Sequence, residues 1–196
     1  GGVWTRCTRY IFKLQSGWPR GHQAGTVMAM AALGNPERFK DDFYKMLRHD
    51  SQQVSYKPPT QPRGAYTGND PKHPYLNKWA ELAEANEENR FDLAAGLQAA
   101  TEIYLKEIFT KLLDALPQYK SLCLAGGVSL NSVAMGKMCD WFGDRLDNIY
   151  ITPTPHDGGL TIGAAQYVWH HILDNPRIKW EDNFTPYLGF KYDNIV

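Results

Sequence analysis

The clearest pattern of apolar and polar positions runs from about Arg90 to Leu116. Ala94, Leu97, Thr101, Tyr104, Ile108 and Leu112 recur there at three- and four-residue steps, which predicts a long helix with one core-facing stripe. Asn89 is a plausible N-cap, Asp92 suits the positive first turn, and Pro117 stops the helix. Phe39, Phe43, Met46 and Leu47 make a similar stripe on a second, more charged helix over Glu37 to Arg48. Ala- and Met-rich residues from His22 to Leu33 predict a buried helix that ends near Gly34-Asn35-Pro36. Leu76 to Ala85 reads as a short helix.

Period-two signals are fewer. "RYIFKL", Arg9 to Leu14, alternates apolar and polar residues and predicts a strand, broken by Gly17, Pro19 and Gly21. "SLCLA" predicts another, followed by a Gly126-Gly127 turn and a helix over Asn131 to Trp141. "NIYIT", Asn148 to Thr152, predicts a third, followed by "PTPHDGG" and a helix over Leu160 to Leu173. Strand–turn–helix twice in succession implies parallel strands with crossover helices, so the class is α/β. Residues 50–75 are rich in Pro, Gly and polar side chains and predict a long surface insertion.

Composition narrows the function classes. The 196 residues carry 21 basic and 21 acidic side chains, so no broad nucleic-acid footprint is expected. Apolar residues make up 43%, enough for a core. Cys7, Cys123 and Cys139 lack C-x-x-C spacing, which predicts free thiols, a reducing compartment and a cytoplasmic protein. No apolar run reaches membrane-spanning length. The first residues lack an initiator Met and the last read as leading elsewhere, so a fragment of a longer protein is expected.

Candidate chemistry lies in the two turns at strand ends, where open α/β sheets bind ligands. Gly126 and Gly127 would let a backbone approach a bulky ligand, with helix N–H groups beyond to face phosphate or ribose oxygens; close helix–strand packing is the competing explanation. "GGVSLN" matches neither a Walker loop nor a dinucleotide fingerprint. Asp157 is either a ligand for a divalent metal or an N-cap for the following helix. His156 reads as an exposed turn residue, and no two histidines have H-x-x-x-H spacing.

Three segments, "LCLAGGVSLNSVAMGKM", "NIYITPTPHDGGLTIGAAQYVWH" and "TPYLG", occur in an order and spacing that resembles the O-carbamoyltransferase family of nodulation-factor and antibiotic-tailoring enzymes. "TVMAMAALGNP" resembles that family's "KVMGLAPYG" segment, and "FDLAAGLQAATE" its preceding helix. The resemblance implies a ribonuclease H-like lobe of an actin-like ATPase domain, with helices packed on a mixed sheet. On this reading residues 1–183 are the second lobe and 184–196 a linker toward a further domain. It implies transfer of a carbamoyl group from carbamoyl phosphate and ATP, through carbamoyladenylate, to a hydroxyl of a small-molecule acceptor. It places Gly126, Gly127, Val128, Asn131 and Gly158 at the nucleotide and Asp157 at a divalent metal, iron or magnesium. Ser129, Met135 and "HDGG" depart from the family pattern. The other metal ligands, on a first lobe, and the carbamoyladenylate-forming C-terminal domain are absent from this chain, so it is expected to be inactive alone. The alternatives are a non-catalytic nucleotide-binding or scaffolding module of the same fold, and a tRNA threonylcarbamoylation-type enzyme or actin-like sugar kinase.

Overall fold

A computed structural model describes residues 2–14, 23–52 and 75–177, with the backbone alone for 49–52 and 75. The described residues divide into two compact units. The first comprises residues up to Leu122 together with Asn131–Ile149; the second comprises Cys123–Leu130 and the residues from Tyr150 onward.

The first unit is built on one long helix, α5 (Glu87–Ala115), whose predicted stripe is buried at Ala94, Leu97 and Thr101 but exposed at Ile108 and Leu112. Before it come α1 (Gly2–Tyr10), α2 (Ala24–Ala31), α3 (Lys40–Gln52) and α4 (Tyr75–Ala85). Leu93, Ala94, Leu97 and Ala100 of α5 are buried with Val3 and Cys7 of α1, Val27 of α2, Phe43 and Met46 of α3, and Leu76 and Ala83 of α4. Small residues on α5 permit close approach: a Cβ on Gly96 would lie 2.8 Å from the Phe39 Cβ. Trp4 of α1 donates its indole N–H to the Thr101 hydroxyl at 2.8 Å, so α1 is tied to α5 by a polar contact as well. Phe43 and Trp79 stack tilted at 4.5 Å between centroids and join α3 to α4.

A buried carboxylate fixes the turn between α2 and α3. Asp92, 4% exposed, accepts from the Asn35 backbone N–H at 2.6 Å and from the Arg38 guanidinium at 2.5 Å. Arg38 reaches on to the Asn89 side chain at 3.0 Å. Gly34 makes this possible, because a Cβ there would collide with the Phe91 carbonyl and lie 2.6 Å from the Asp92 nitrogen. Asp92 therefore serves a tertiary contact rather than the first-turn dipole. The N-cap is Asn86, whose side chain accepts from the Asn89 N–H at 2.8 Å, and not Asn89.

The predicted strand at Arg9 to Leu14 is instead the end of α1 and the turn beyond it. Val3, Cys7 and Ile11 are all buried at four-residue steps, and this longer helical stripe overrides the short alternation. The α3 helix continues through Gln52, past the predicted start of the insertion; residues 53–74 lie outside the described residues, as do Gly17, Pro19 and Gly21. The predicted linker at 184–196 also lies outside them.

Strands β1 (Ser121–Leu124) and β2 (Asn148–Ile151) pair in a parallel two-stranded sheet. The crossover between them holds α6 (Ser132–Gly136) and α7 (Met138–Phe142), one predicted helix that breaks at Lys137. Phe142 of α7 meets Phe109 of α5 edge-on at 6.3 Å. The class is thus α/β, dominated by helices; the larger mixed sheet of the expectation reduces to two strands among the described residues.

In the second unit α8 (Gly159–Tyr167) runs on as a π-helix over Val168–Ile172. Its side chains from residue 160 to 169 are all exposed. Cys7 is buried and Cys123 and Cys139 are exposed, all three as free thiols. Among the described residues no helix is long and apolar enough to cross a membrane.

Candidate functional site

Five of the six predicted site residues fall in the second unit: Gly126, Gly127, Val128, Asp157 and Gly158. Asn131 belongs to the first. The second unit brings its two turns together through one backbone bond, from the Gly126 N–H to the Pro155 carbonyl at 2.5 Å.

The glycine turn opens where β1 ends. Gly126 has φ of +96°, a region that side chains with a Cβ avoid, so glycine is required there by backbone conformation. A 3-10 turn over Gly127–Leu130 follows, held by the Ser129 N–H to Gly126 carbonyl bond at 3.0 Å. The Ser129 hydroxyl donates to the Ala125 carbonyl at 3.3 Å, a local role for the serine that departs from the family pattern. A Cβ on Gly126 or on Gly127 would meet no atom within 4 Å among the described residues. Among the described residues, close packing therefore does not select these glycines. Gly127 has neither a positive φ nor a crowded Cβ, and leaves an open stretch of backbone beside Val128, which is half-buried.

The second turn is tighter. A Cβ on Gly159 would collide with the Thr154 carbonyl, and one on Gly158 would sit 2.8 Å from the His156 ring. His156 is exposed but not idle: its Nδ1 accepts from the Gly158 N–H at 3.1 Å. The Gly159 and Leu160 N–H groups bond to the His156 and Asp157 carbonyls at 2.9 and 3.1 Å. The cap position of α8 is Gly158, with no side-chain capping bond, so Asp157 does not act as the helix cap. Its exposed carboxylate makes no hydrogen bond or ion pair among the described residues. Thr154 adds a buried hydroxyl without a hydrogen-bond partner among the described residues.

Asn131 is turned inward. It is 7% exposed, and its side chain caps α6 by accepting from the Ala134 N–H at 3.0 Å. Helix α6 has five residues, so the helix N-terminus predicted to face an anion is short and already capped by its own chain. Met135, another departure from the family pattern, is buried. Gln98 was hidden from the pattern because it stands within the apolar stripe of α5; it is buried and bonded to Asn131. A polar residue in the middle of such a stripe is the signal that could have found it. Among the described residues no group of three or more His, Cys, Asp or Glu side chains could hold a metal ion.

Comparison with known proteins bears on these turns. The family described as carbamoyltransferase N-terminus matches residues 7–166, a span that takes in both turns. An uncharacterised protein of Synechocystis sp. is 37% identical over 109 residues, 55% of this chain and 17% of that protein. Nodulation protein NolO of Bradyrhizobium diazoefficiens is 27% identical over 148 residues, covering 72% of this chain and 24% of its own length. The 3'-hydroxymethylcephem-O-carbamoyltransferase of Amycolatopsis lactamdurans is 24% identical over 186 residues, 92% of this chain and 31% of the enzyme. The chain thus spans less than a third of the length of each of these relatives. No solved structure matches it. With both turns inside a match that covers most of its length, this chain belongs to the carbamoyltransferase N-terminus family.

Proposed function

We propose that the chain is the nucleotide-facing part of an ATP-dependent carbamoyltransferase. The reaction moves the carbamoyl group of carbamoyl phosphate, through carbamoyladenylate, to a hydroxyl of a small-molecule acceptor. The ribonuclease H-like, actin-like architecture, with a first lobe and a C-terminal domain supplied elsewhere, is part of the same proposal. Family membership supports the reaction class. The observation that carries the site is the bond between the two turns, from Gly126 to Pro155. It sets open glycine backbone on one turn beside the turn whose carboxylate has no partner among the described residues.

The residues divide the work as follows. Gly126 and Gly127 offer backbone without side-chain obstruction to the adenosine, with the half-buried Val128 beside them, and Gly158 keeps the second turn narrow. Asp157 suits a divalent metal, iron or magnesium: it is a hard oxygen donor, exposed and not committed to another partner among the described residues. One carboxylate does not make a metal site, so the remaining ligands come from outside the described residues. When bound, the metal would neutralise phosphate charge and polarise the carbamoyl group. Asn131 contributes from its capping position.

The test has two arms. Titrating the purified chain with ATP, followed by amide chemical shifts, is expected to move Gly126, Gly127 and Val128. Gly127→Val, which fills the open backbone, is expected to abolish those shifts. Carbamoyl transfer from carbamoyl phosphate in the complete polypeptide is expected to fall at least tenfold in Asp157→Ala, about the effect of losing one charged contact in the transition state. Shifts confined to other residues, or full transfer by Asp157→Ala, would overturn the assignment.

A further inference from the structure

Resting on that nucleotide reading, we propose that Gln98 and Glu102 are positioning residues that present Asn131 to the nucleotide as a hydrogen-bond donor only. The atom it meets is then an acceptor: a ribose oxygen, a ring nitrogen or a phosphate oxygen.

Donors and acceptors alternate along one chain of side chains, all within the first unit. It starts at Lys137, between α6 and α7, whose ammonium donates to Glu102 Oε2 at 2.5 Å. The other carboxylate oxygen, Oε1, accepts from Gln98 Nε2 at 2.7 Å. An ionised carboxylate only accepts, so Gln98 must turn its NH2 toward Glu102. Gln98 and Glu102 stand one turn apart on the same face of α5, which makes the bond local and inexpensive in chain entropy.

That choice fixes the next one. With its NH2 toward Glu102, Gln98 meets Asn131 as a reciprocal carboxamide pair. Asn131 Nδ2 donates to Gln98 Oε1 at 2.9 Å, and Gln98 Nε2 donates to Asn131 Oδ1 at 3.2 Å. Asn131 Oδ1 also takes the Ala134 N–H at 3.0 Å. Both N–H bonds of Gln98 are then used, and both lone pairs of Asn131 Oδ1 are filled. One Nδ2–H of Asn131 is left.

The reversed arrangement fails at Glu102, where it would set the Gln98 oxygen against a carboxylate oxygen. Burial raises the cost of that error, since Gln98 is 6% exposed and Asn131 7%. The relay therefore decides what Asn131 can say to a ligand. It also anchors the residue that directly follows Leu130, the last residue of the glycine turn.

The test uses Gln98→Met, which keeps length and apolar bulk but can neither donate nor accept. In the parent chain, one Asn131 side-chain amide proton is expected to exchange slowly and its twin fast. In Gln98→Met both are expected to exchange fast, while the Ala134 backbone amide stays protected and thermal stability stays within a few degrees. ATP affinity, read by chemical-shift titration, is expected to fall about tenfold, the effect of a misplaced hydrogen-bond donor. Glu102→Gln can still accept from Gln98 through its carbonyl and guards against misfolding of the first variant; its affinity loss is expected to be smaller. An Asn131 side chain that exchanges identically in parent and Gln98→Met overturns the relay, as does unchanged ATP affinity in that variant. A parent chain that takes up no ATP would overturn the nucleotide reading, and amide exchange would then decide the relay by itself.

Discussion

Glycines do opposite work in the two units. In the helical unit, Gly34 and Gly96 are places where two backbones nearly touch, and a methyl group would strike Phe91 or Phe39. In the turn unit, Gly126 and Gly127 face open space among the described residues, and only the φ of Gly126 demands glycine for a local reason. On the proposed function, a glycine without a packing or conformational cause is one left open to a ligand. The contrast separates residues that hold the fold from residues kept available.

Substitution should tell the two kinds of glycine apart. Gly34→Ala is expected to have the largest effect, about 3 kcal/mol of lost stability, because the obstacle is backbone of α5 and not a movable side chain. Urea unfolding of the chain measures it, and a loss near zero would mean that the α2–α3 turn is not seated as described. Asp92→Ala comes next at about 2 kcal/mol, since it takes the acceptor from the Asn35 N–H and the carboxylate partner from Arg38. Asp92→Asn should recover part of this by keeping an acceptor for Asn35.

Gly126→Ala should cost about 1 to 2 kcal/mol, through backbone strain alone. Its mark is local: amide exchange at residue 126 should accelerate as the bond to Pro155 weakens, with the helical unit unchanged. Gly127→Ala and Asp157→Ala should lie at the bottom, within about 0.5 kcal/mol of the parent. If either unfolds the turn unit, the distinction between holding and available residues fails at that position.

Much of the helical unit is legible in the sequence, because its information is local. The stripe on α5 and the Pro117 stop are read from neighbouring residues and locate the helix to within a turn, although the stripe faces the core only in its first half, Ile108 and Leu112 being exposed. Alternation over six residues at Arg9 to Leu14 was too short to distinguish a strand from a helix end; the decisive residues, Val3 and Cys7, lie outside that window. Asn89 and Asp92 look like cap and dipole partner, yet Arg38, more than fifty positions earlier in the chain, claims both. The two turns announce themselves by their glycines, while the bond that joins them and the pairing of Gln98 with Asn131 are tertiary facts. Asp157 reads equally well as cap or ligand, and only the bare cap position of α8 removes the first option.

The place of α5 in the chain has a consequence for synthesis. Its partners α1, α2, α3 and α4 all leave the ribosome before it does, each with an apolar face that α5 later covers. None can complete its packing until the α5 sequence has emerged, so the nascent chain carries exposed apolar surface through most of the translation of this unit. Such surface attracts chaperones and invites aggregation. Pausing of translation within the α5 codons, or mutations that slow α5 formation, would therefore lower the yield of folded protein without altering any contact in the finished molecule.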